Sequence, residues 1–159
     1  MSIKSTKKVL IPIDFSADSQ TAIDEGVVLA KMLGAEATIF HVIHDSLEDP
    51  GMYADKKKKK KRLLHQIDEA AQEKMAEYLK KNGVTKKVKE LGVKLEFTCR
   101  RGLPVQQIIR LAEKKDYGLI VMGSSGRTGL STILLGSVAE RVVQQSKVPV
   151  MVVKKKKKK

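Results

Sequence analysis

The 159-residue chain has little of what builds disulfide scaffolds, base-stacking surfaces or membrane spans. Cys99 is its only cysteine, so no intramolecular disulfide can form; this fits a reducing, cytoplasmic setting, and its place in an alternating run suits packing better than reactivity. Aromatic residues make up 4% of the chain and tryptophan is absent, so its basic tracts have no interleaved rings on which bases could stack. The longest apolar runs are strand-sized, too short to span a bilayer. The start, MSIKSTKKVLIPID, has basic residues but no apolar core with a cleavage site, so it does not read as a signal peptide.

Several catalytic and phosphate-binding signatures are missing too. No Gly-Lys-Ser or Gly-Lys-Thr occurs, which removes the P-loop, and neither the dinucleotide fingerprint G-x-G-x-x-G nor the hydrolase elbow G-x-S-x-G is present. His41, His44 and His65 show no metal-ligand spacing with Cys99; His41 in a strand and His65 on a helix read as packing or surface residues. The net charge of +14 is concentrated: Lys56 to Lys61 and Lys154 to Lys159 hold 12 of the 32 basic residues, leaving 20 against 18 acidic ones. The body is therefore nearly neutral, and the tracts read as solvated segments able to attract polyanions without specificity. No specific nucleic acid and no membrane is expected as a partner.

What is present is a chain of one-domain length, 42% hydrophobic, with strand and helix patterns in alternation. KVLIPID (8 to 14) suits a buried parallel strand ending in a carboxylate. Ser16 or Asp18 can cap a helix to Leu33, with Ala22, Ile23, Val27, Ala30 and Leu33 on one face and Gly34 as its stop. A second strand is expected over Ala35 to Ile43, then a loop from His44 to Asp55. The spacing predicts a helix over 62 to 81, a short helical turn over 84 to 92, a strand toward a sheet edge over 93 to 100, and a helix from Pro104 whose apolar face is Val105, Ile108, Ile109 and Ala112. Asp116-Tyr117-Gly118 turns into the strand Leu119 to Met122; a helix from Ser137 to about Gln145 and a strand from Val150 to Val153 close the chain. Such alternation predicts a parallel sheet with helices on both faces and a ligand at the carboxyl ends of the strands. Residues 1–153 are expected to form a single domain, with 154–159 as a lysine tail.

The stretch that organises the rest is LIVMGSSGRTGLSTILLGSVAERVV, 119 to 143. A strand stops at Gly123, a loop of small residues follows, and a helix starts at Ser137. Gly123, Gly126, Gly129 and Gly136 let backbone N–H groups approach a ligand, Ser124, Ser125, Thr128 and Ser137 offer hydroxyl donors, and the helix start adds partial positive charge. The result is a phosphate receptor, although glycines of this kind also simply shape tight strand-to-helix turns.

The spacing Gly123-x-x-Gly126, nine residues, Gly136-Ser137 resembles the nucleotide-binding signature of the universal stress protein family, G-x-x-G-x9-G-[ST], at every fixed position. The PIDFS start, the second strand and the closing VPVMVV extend the likeness over nearly the whole chain. The resemblance implies a Rossmann-like three-layer α/β/α fold with a five-stranded parallel sheet in the order 3-2-1-4-5. It also implies ATP as ligand, with Gly123, Gly126, Gly136 and Ser137 at phosphate and ribose, Asp14 beside ribose or adenine, and Val42 giving backbone contacts to adenine. Pro12, Met122, Ser124 and Val138, which flank these positions, complete the candidate set.

Two residues keep alternatives. Arg127 either reaches a phosphate with its planar fork of donors or is a solvated loop residue, and Asp14 either lines the cleft or caps the first helix. Asp14 is also the one candidate for holding magnesium, indirectly through phosphate; no second carboxylate or base stands at a convincing catalytic position. The functional expectation is an ATP-binding protein in which the nucleotide serves signalling or conformational control in a stress response. Its rivals are a slow ATPase or phosphotransferase and a protein-interaction module without nucleotide. The family pairs its last strand with a second copy, which implies a homodimer through Val148 to Val153 and agrees with the need to cover an apolar edge.

Overall fold

The computed structural model describes residues 6–43, 56–114, 117–124 and 135–155. Among the described residues five strands and five helices follow one another, with two helices between the second and third strands: β1 (Lys8–Ile13), α1 (Ala17–Leu33), β2 (Glu36–Ile43), α2 (Lys56–Lys81), α3 (Val84–Leu91), β3 (Leu95–Arg101), α4 (Pro104–Ala112), β4 (Tyr117–Gly123), α5 (Ser137–Gln145) and β5 (Val150–Val153). The strands form one all-parallel sheet in the order β3-β2-β1-β4-β5, as the resemblance implied. The order reverses between β1 and β4, so the connections leave a crevice at their carboxyl ends.

Both faces of the sheet are covered, which is why the central strands read as unbroken apolar runs. Val9, Ile11 and Ile13 of β1 and Leu119 and Val121 of β4 pack under α1, α2 and α3 with Ile23, Val27, Met75 and Val84. Leu10, Phe40, Ile120 and Met122 point to the opposite face, against Ile108 and Leu111 of α4 and Ala139 and Val142 of α5. The hydroxyl of Tyr117 donates to Thr38 Oγ1 at 3.1 Å in the interior, so this buried polar pair is satisfied.

Some expectations shift. The second helix begins at Lys56, six residues before the expected start: lysine is a good helix former, and the tract continues the helix instead of preceding it. The apolar face of α4 is closed by Leu111, which is buried, whereas Ile109 is only partly so. Tyr117 and Gly118 belong to β4 instead of to a turn. The short segment after Gly83 is a full helix, α3, stopped by Gly92 in the left-handed conformation at φ 65°. The expected loop over 44 to 55 lies outside the described residues.

Candidate functional site

The crevice is formed by three corners. At the first, β1 ends and the chain turns into α1. Ser16 is the N-cap of α1, its Oγ accepting from the Ser19 amide at 3.2 Å. Asp14 therefore does not cap the helix itself. Its Oδ1 accepts from the Ser16 amide at 3.0 Å and from the Ser19 hydroxyl at 2.7 Å, while its own amide donates to Ser19 Oγ at 3.0 Å. This closed set fixes the carboxylate at the strand end.

The turn requires Phe15 to adopt φ 66°, a left-handed conformation that costs a bulky residue roughly 1–2 kcal/mol. Aromatic packing offsets it: the Phe15 ring lies 4.5 Å from the His41 ring and 5.1 Å from that of Tyr78, with Lys74 Nζ 4.7 Å above it. The Tyr78 phenol is pushed above its usual range by burial first, then by the charges of Asp14 and Asp24, so α2 stands in the electrostatic field of this corner.

The second corner is the end of β2. The Glu36 amide donates to Lys7 and the Ala37 amide to Lys94, so even-numbered residues of β2 turn their backbone groups toward β1 and odd-numbered ones toward β3. The last register pair between β1 and β2 is Ile13 with His41. Val42, the next residue, aims its backbone at the side that β1 has just vacated. His41 Nδ1 sits 2.9 Å from the Ile13 carbonyl oxygen. A carbonyl can only accept, so Nδ1 carries the proton. His41 is thus a fixed wall of the crevice, where the sequence suggested ordinary packing.

The third corner joins β4 to α5. A Cβ on Gly123 would lie 2.8 Å from the Cβ of Asp18 and 3.0 and 3.1 Å from its backbone C and O, so only glycine lets α1 approach this closely. That requirement is structural and independent of any ligand. The Ser124 hydroxyl donates to Asp18 Oδ2 at 2.9 Å. Its single proton is thereby committed, which removes Ser124 as the free hydroxyl donor the sequence suggested. Gly136, the N-cap of α5, has no side chain to accept from first-turn amides, and Gly136 to Ala139 border the crevice.

Together the corners enclose a cavity of about 360 Å³, within the range typical of small-molecule sites. Pro12, Asp14, Val42, Met122, Gly123, Ser124, Gly136, Ser137 and Val138 all line it. Gly126 and Arg127 lie outside the described residues. Sequence reading missed Ser19, Phe40, His41, Pro104 and Ile108. Ser19 was visible as the third residue after a capping Ser16; Pro104 and Ile108 come from α4 and carry no local signal. Among the described residues no group of three or more His, Cys, Asp or Glu is placed to hold a metal ion. Cys99 packs against the core under α2, and burial, aided by Asp68, pushes its thiol up, which disfavours the reactive thiolate. No described helix is long and apolar enough to cross a membrane.

The comparisons with known proteins agree with this architecture. The model of the universal stress protein family matches residues 5–154. The chain belongs to the universal stress protein family. It is 41% identical over 152 residues to universal stress protein MJ0531 of Methanocaldococcus jannaschii, covering 96% of this chain and 84% of the relative. To universal stress protein YxiE of Bacillus subtilis it is 36% identical over 153 residues, 92% and 98% of the two chains. The solved structure of the M. jannaschii protein MJ0577 superimposes with a TM-score of 0.76 at 30% identity, covering 97% of this chain and 99% of that one. A universal stress protein crystallised in complex with cAMP shares the fold, with a TM-score of 0.63 at 23% identity over 94% and 98% of the chains.

Proposed function

We propose that this universal stress protein binds ATP as a regulatory ligand and works as a homodimer in the cytoplasm. The observation that carries the reading is the cavity at the reversal of strand order, which combines a fixed carboxylate, an open backbone edge and an uncapped helix N-terminus. The adenine would lie against Val42, whose carbonyl, turned toward the side left by β1, suits the exocyclic amine of adenine and repels the corresponding oxygen of guanine. Asp14 would accept from ribose hydroxyls, and the amides of Ser137 and Val138 would donate to phosphate, joined by Gly126 and Arg127 from the adjoining loop.

Magnesium would enter with the phosphates, Asp14 reaching it only through them. The nucleotide supplies the charge and shape that favour one arrangement of the loop, and the protein's own groups bind and orient it. Dimer formation would use β5, a sheet edge whose Met151 is 38% exposed.

Calorimetry with ATP tests the binding claim: a saturable heat with a matching rise in melting temperature is expected, and no heat at millimolar nucleotide would sink it. The cAMP complex of a relative makes cAMP the competitor to include. Denaturing the purified protein and assaying the supernatant for released adenine nucleotide gives an independent check. Sedimentation before and after Met151→Lys measures the dimer; an unchanged monomer in both would remove that part.

A further inference from the structure

Asp18 belongs to the first turn of α1, and the described residues where β4 passes into the glycine loop, Gly123 and Ser124, both meet it. Its Oδ2 accepts from the Ser124 hydroxyl at 2.9 Å, and its Oδ1 accepts from the Lys155 amide at 3.4 Å. Ser124 in turn has each backbone group engaged: its amide donates to the Val153 carbonyl at 2.8 Å, and its carbonyl accepts from the Gly136 amide at 2.7 Å. The Ser124–Gly136 bond is where the two ends of the glycine loop meet. Ser124 is 3% exposed, so the tie is shielded from competing water. Gly123 lacks a side chain at the point where Asp18 approaches, and the negative charge sits where the α1 dipole favours it.

We infer that Asp18 is a positioning residue of the nucleotide site: acting through Ser124, it holds the two ends of the glycine loop together and in register with the last strand, presetting the phosphate end without contacting phosphate. The inference rests on the nucleotide reading for its functional consequence but not for its structural content. An exposed capping acid has a different signature, since its removal would lower stability without distinguishing one ligand from another. A bare repulsive charge near the phosphates would show the opposite sign, with ATP binding tightened by its loss.

The test compares wild type, Asp18→Ala, Ser124→Ala and the double variant, with ATP and adenosine as the two probes. Val88→Ala, a remote core change in α3, controls for stability. Asp18→Ala is expected to weaken ATP about tenfold while adenosine changes by less than about twofold, with the double variant no worse than Asp18→Ala alone. Val88→Ala should move the melting temperature but neither affinity. Equal losses for both probes, additive losses in the double variant, or tighter ATP binding would each overturn the inference. Should wild type bind neither probe, the proposed function fails and hydrogen exchange decides the positioning claim: the Ser124 and Gly136 amides, protected in wild type, should lose protection in Asp18→Ala but not in Val88→Ala. Unchanged protection would overturn it.

Discussion

At the amino ends of β1, β2 and β3 the sheet is closed by charge, whereas at the carboxyl ends of β1, β2 and β4 it is held open by turns. Lys8 pairs with Glu36 at 3.4 Å and Glu96 at 3.2 Å, and Lys94 pairs with the same two acids at 2.8 and 3.5 Å. This square of alternating charges ties the three strand starts together, and Gly34 ends α1 in the left-handed conformation so that β2 starts beside β1 without a loop. At the other end the polar groups are satisfied locally, Asp14 by Ser16 and Ser19, and Asp18 by Ser124, which leaves the space between the corners for a ligand. Stability is therefore expected to respond to changes at either end, and binding to changes at the open end alone.

The sharpest break of that comparison uses two glycines of β4. A Cβ on Gly118 would meet Thr6 Oγ1 at 2.1 Å, and one on Gly123 would meet the Asp18 backbone at 3.0 and 3.1 Å. Gly118→Ala and Gly123→Ala are each expected to cost about 1–3 kcal/mol in urea unfolding, through overpacking. The two costs should be similar, because a Cβ on Gly118 would also lie 2.9 Å from Thr6 Cβ and 3.2 Å from its Cα, and rotation of a side chain relieves neither these contacts nor those with Asp18. Only Gly123→Ala should also weaken ATP, by at least about tenfold. If Gly118→Ala lowers affinity equally, the two ends are not separable and the comparison fails.

Asp14→Asn acts at the open end alone. Asparagine keeps an acceptor for the Ser16 amide and the Ser19 hydroxyl, so stability should fall by only about 1 kcal/mol. ATP and adenosine should both weaken about tenfold, since the carboxylate is assigned to the nucleoside. A stability loss without an affinity loss would return Asp14 to a purely structural role.

How much of this was legible follows from the range of each signal. Strands and helices were readable because period and punctuation are local: KVLIPI, the stop at Gly34 and Pro104 at the first turn of α4 each announce themselves within a few residues. Asp14, Val42 and Gly123 lie at strand ends, and the topology of a parallel sheet carries all such ends to one side. The partner of the Ser124 hydroxyl was not readable, because Asp18 lies 106 positions away and is itself a plausible helix cap. His41 was passed over because its role depends on the Ile13 carbonyl and the Phe15 ring, which only the fold brings together. Leu111 replaced Ile109 on α4 because a nine-residue helix leaves the choice of face to packing.

Phe15 offers a smaller test of how the open end is maintained. Both Phe15→Ala and Phe15→Gly lose the ring contacts to His41 and Tyr78, so both should destabilise. Alanine retains the penalty of φ 66° and glycine does not, so the glycine variant should be the more stable of the two by about 1 kcal/mol, the reverse of the usual order in ordered structure. Equal midpoints in urea would mean that the corner relaxes once the ring is gone, and that the aromatic cluster alone imposes the turn.

The smallest expected effect belongs to the closed end. Its ion pairs are partly exposed and screened by solvent, so they shape the pH dependence more than the total stability. The hydrogen bond from Lys94 chiefly, with Lys8 contributing, holds the Glu36 carboxyl below its ordinary value of 4.5. A carboxyl depressed in the folded state contributes stability above that ordinary value and loses it as pH falls through the folded value. Lys8, raised chiefly by its hydrogen bond to Glu96, and Lys94, raised chiefly by that to Glu36, behave inversely: their contribution is complete below 10.5 and is lost as pH rises through the folded values. Urea midpoints of wild type should therefore decline below about pH 4.5, and Glu36→Gln should flatten that limb while leaving ATP affinity at neutral pH unchanged. An acid limb that persists unchanged in Glu36→Gln would mean that Glu36 does not set the acid dependence of stability, and the role given to the closed end would not hold.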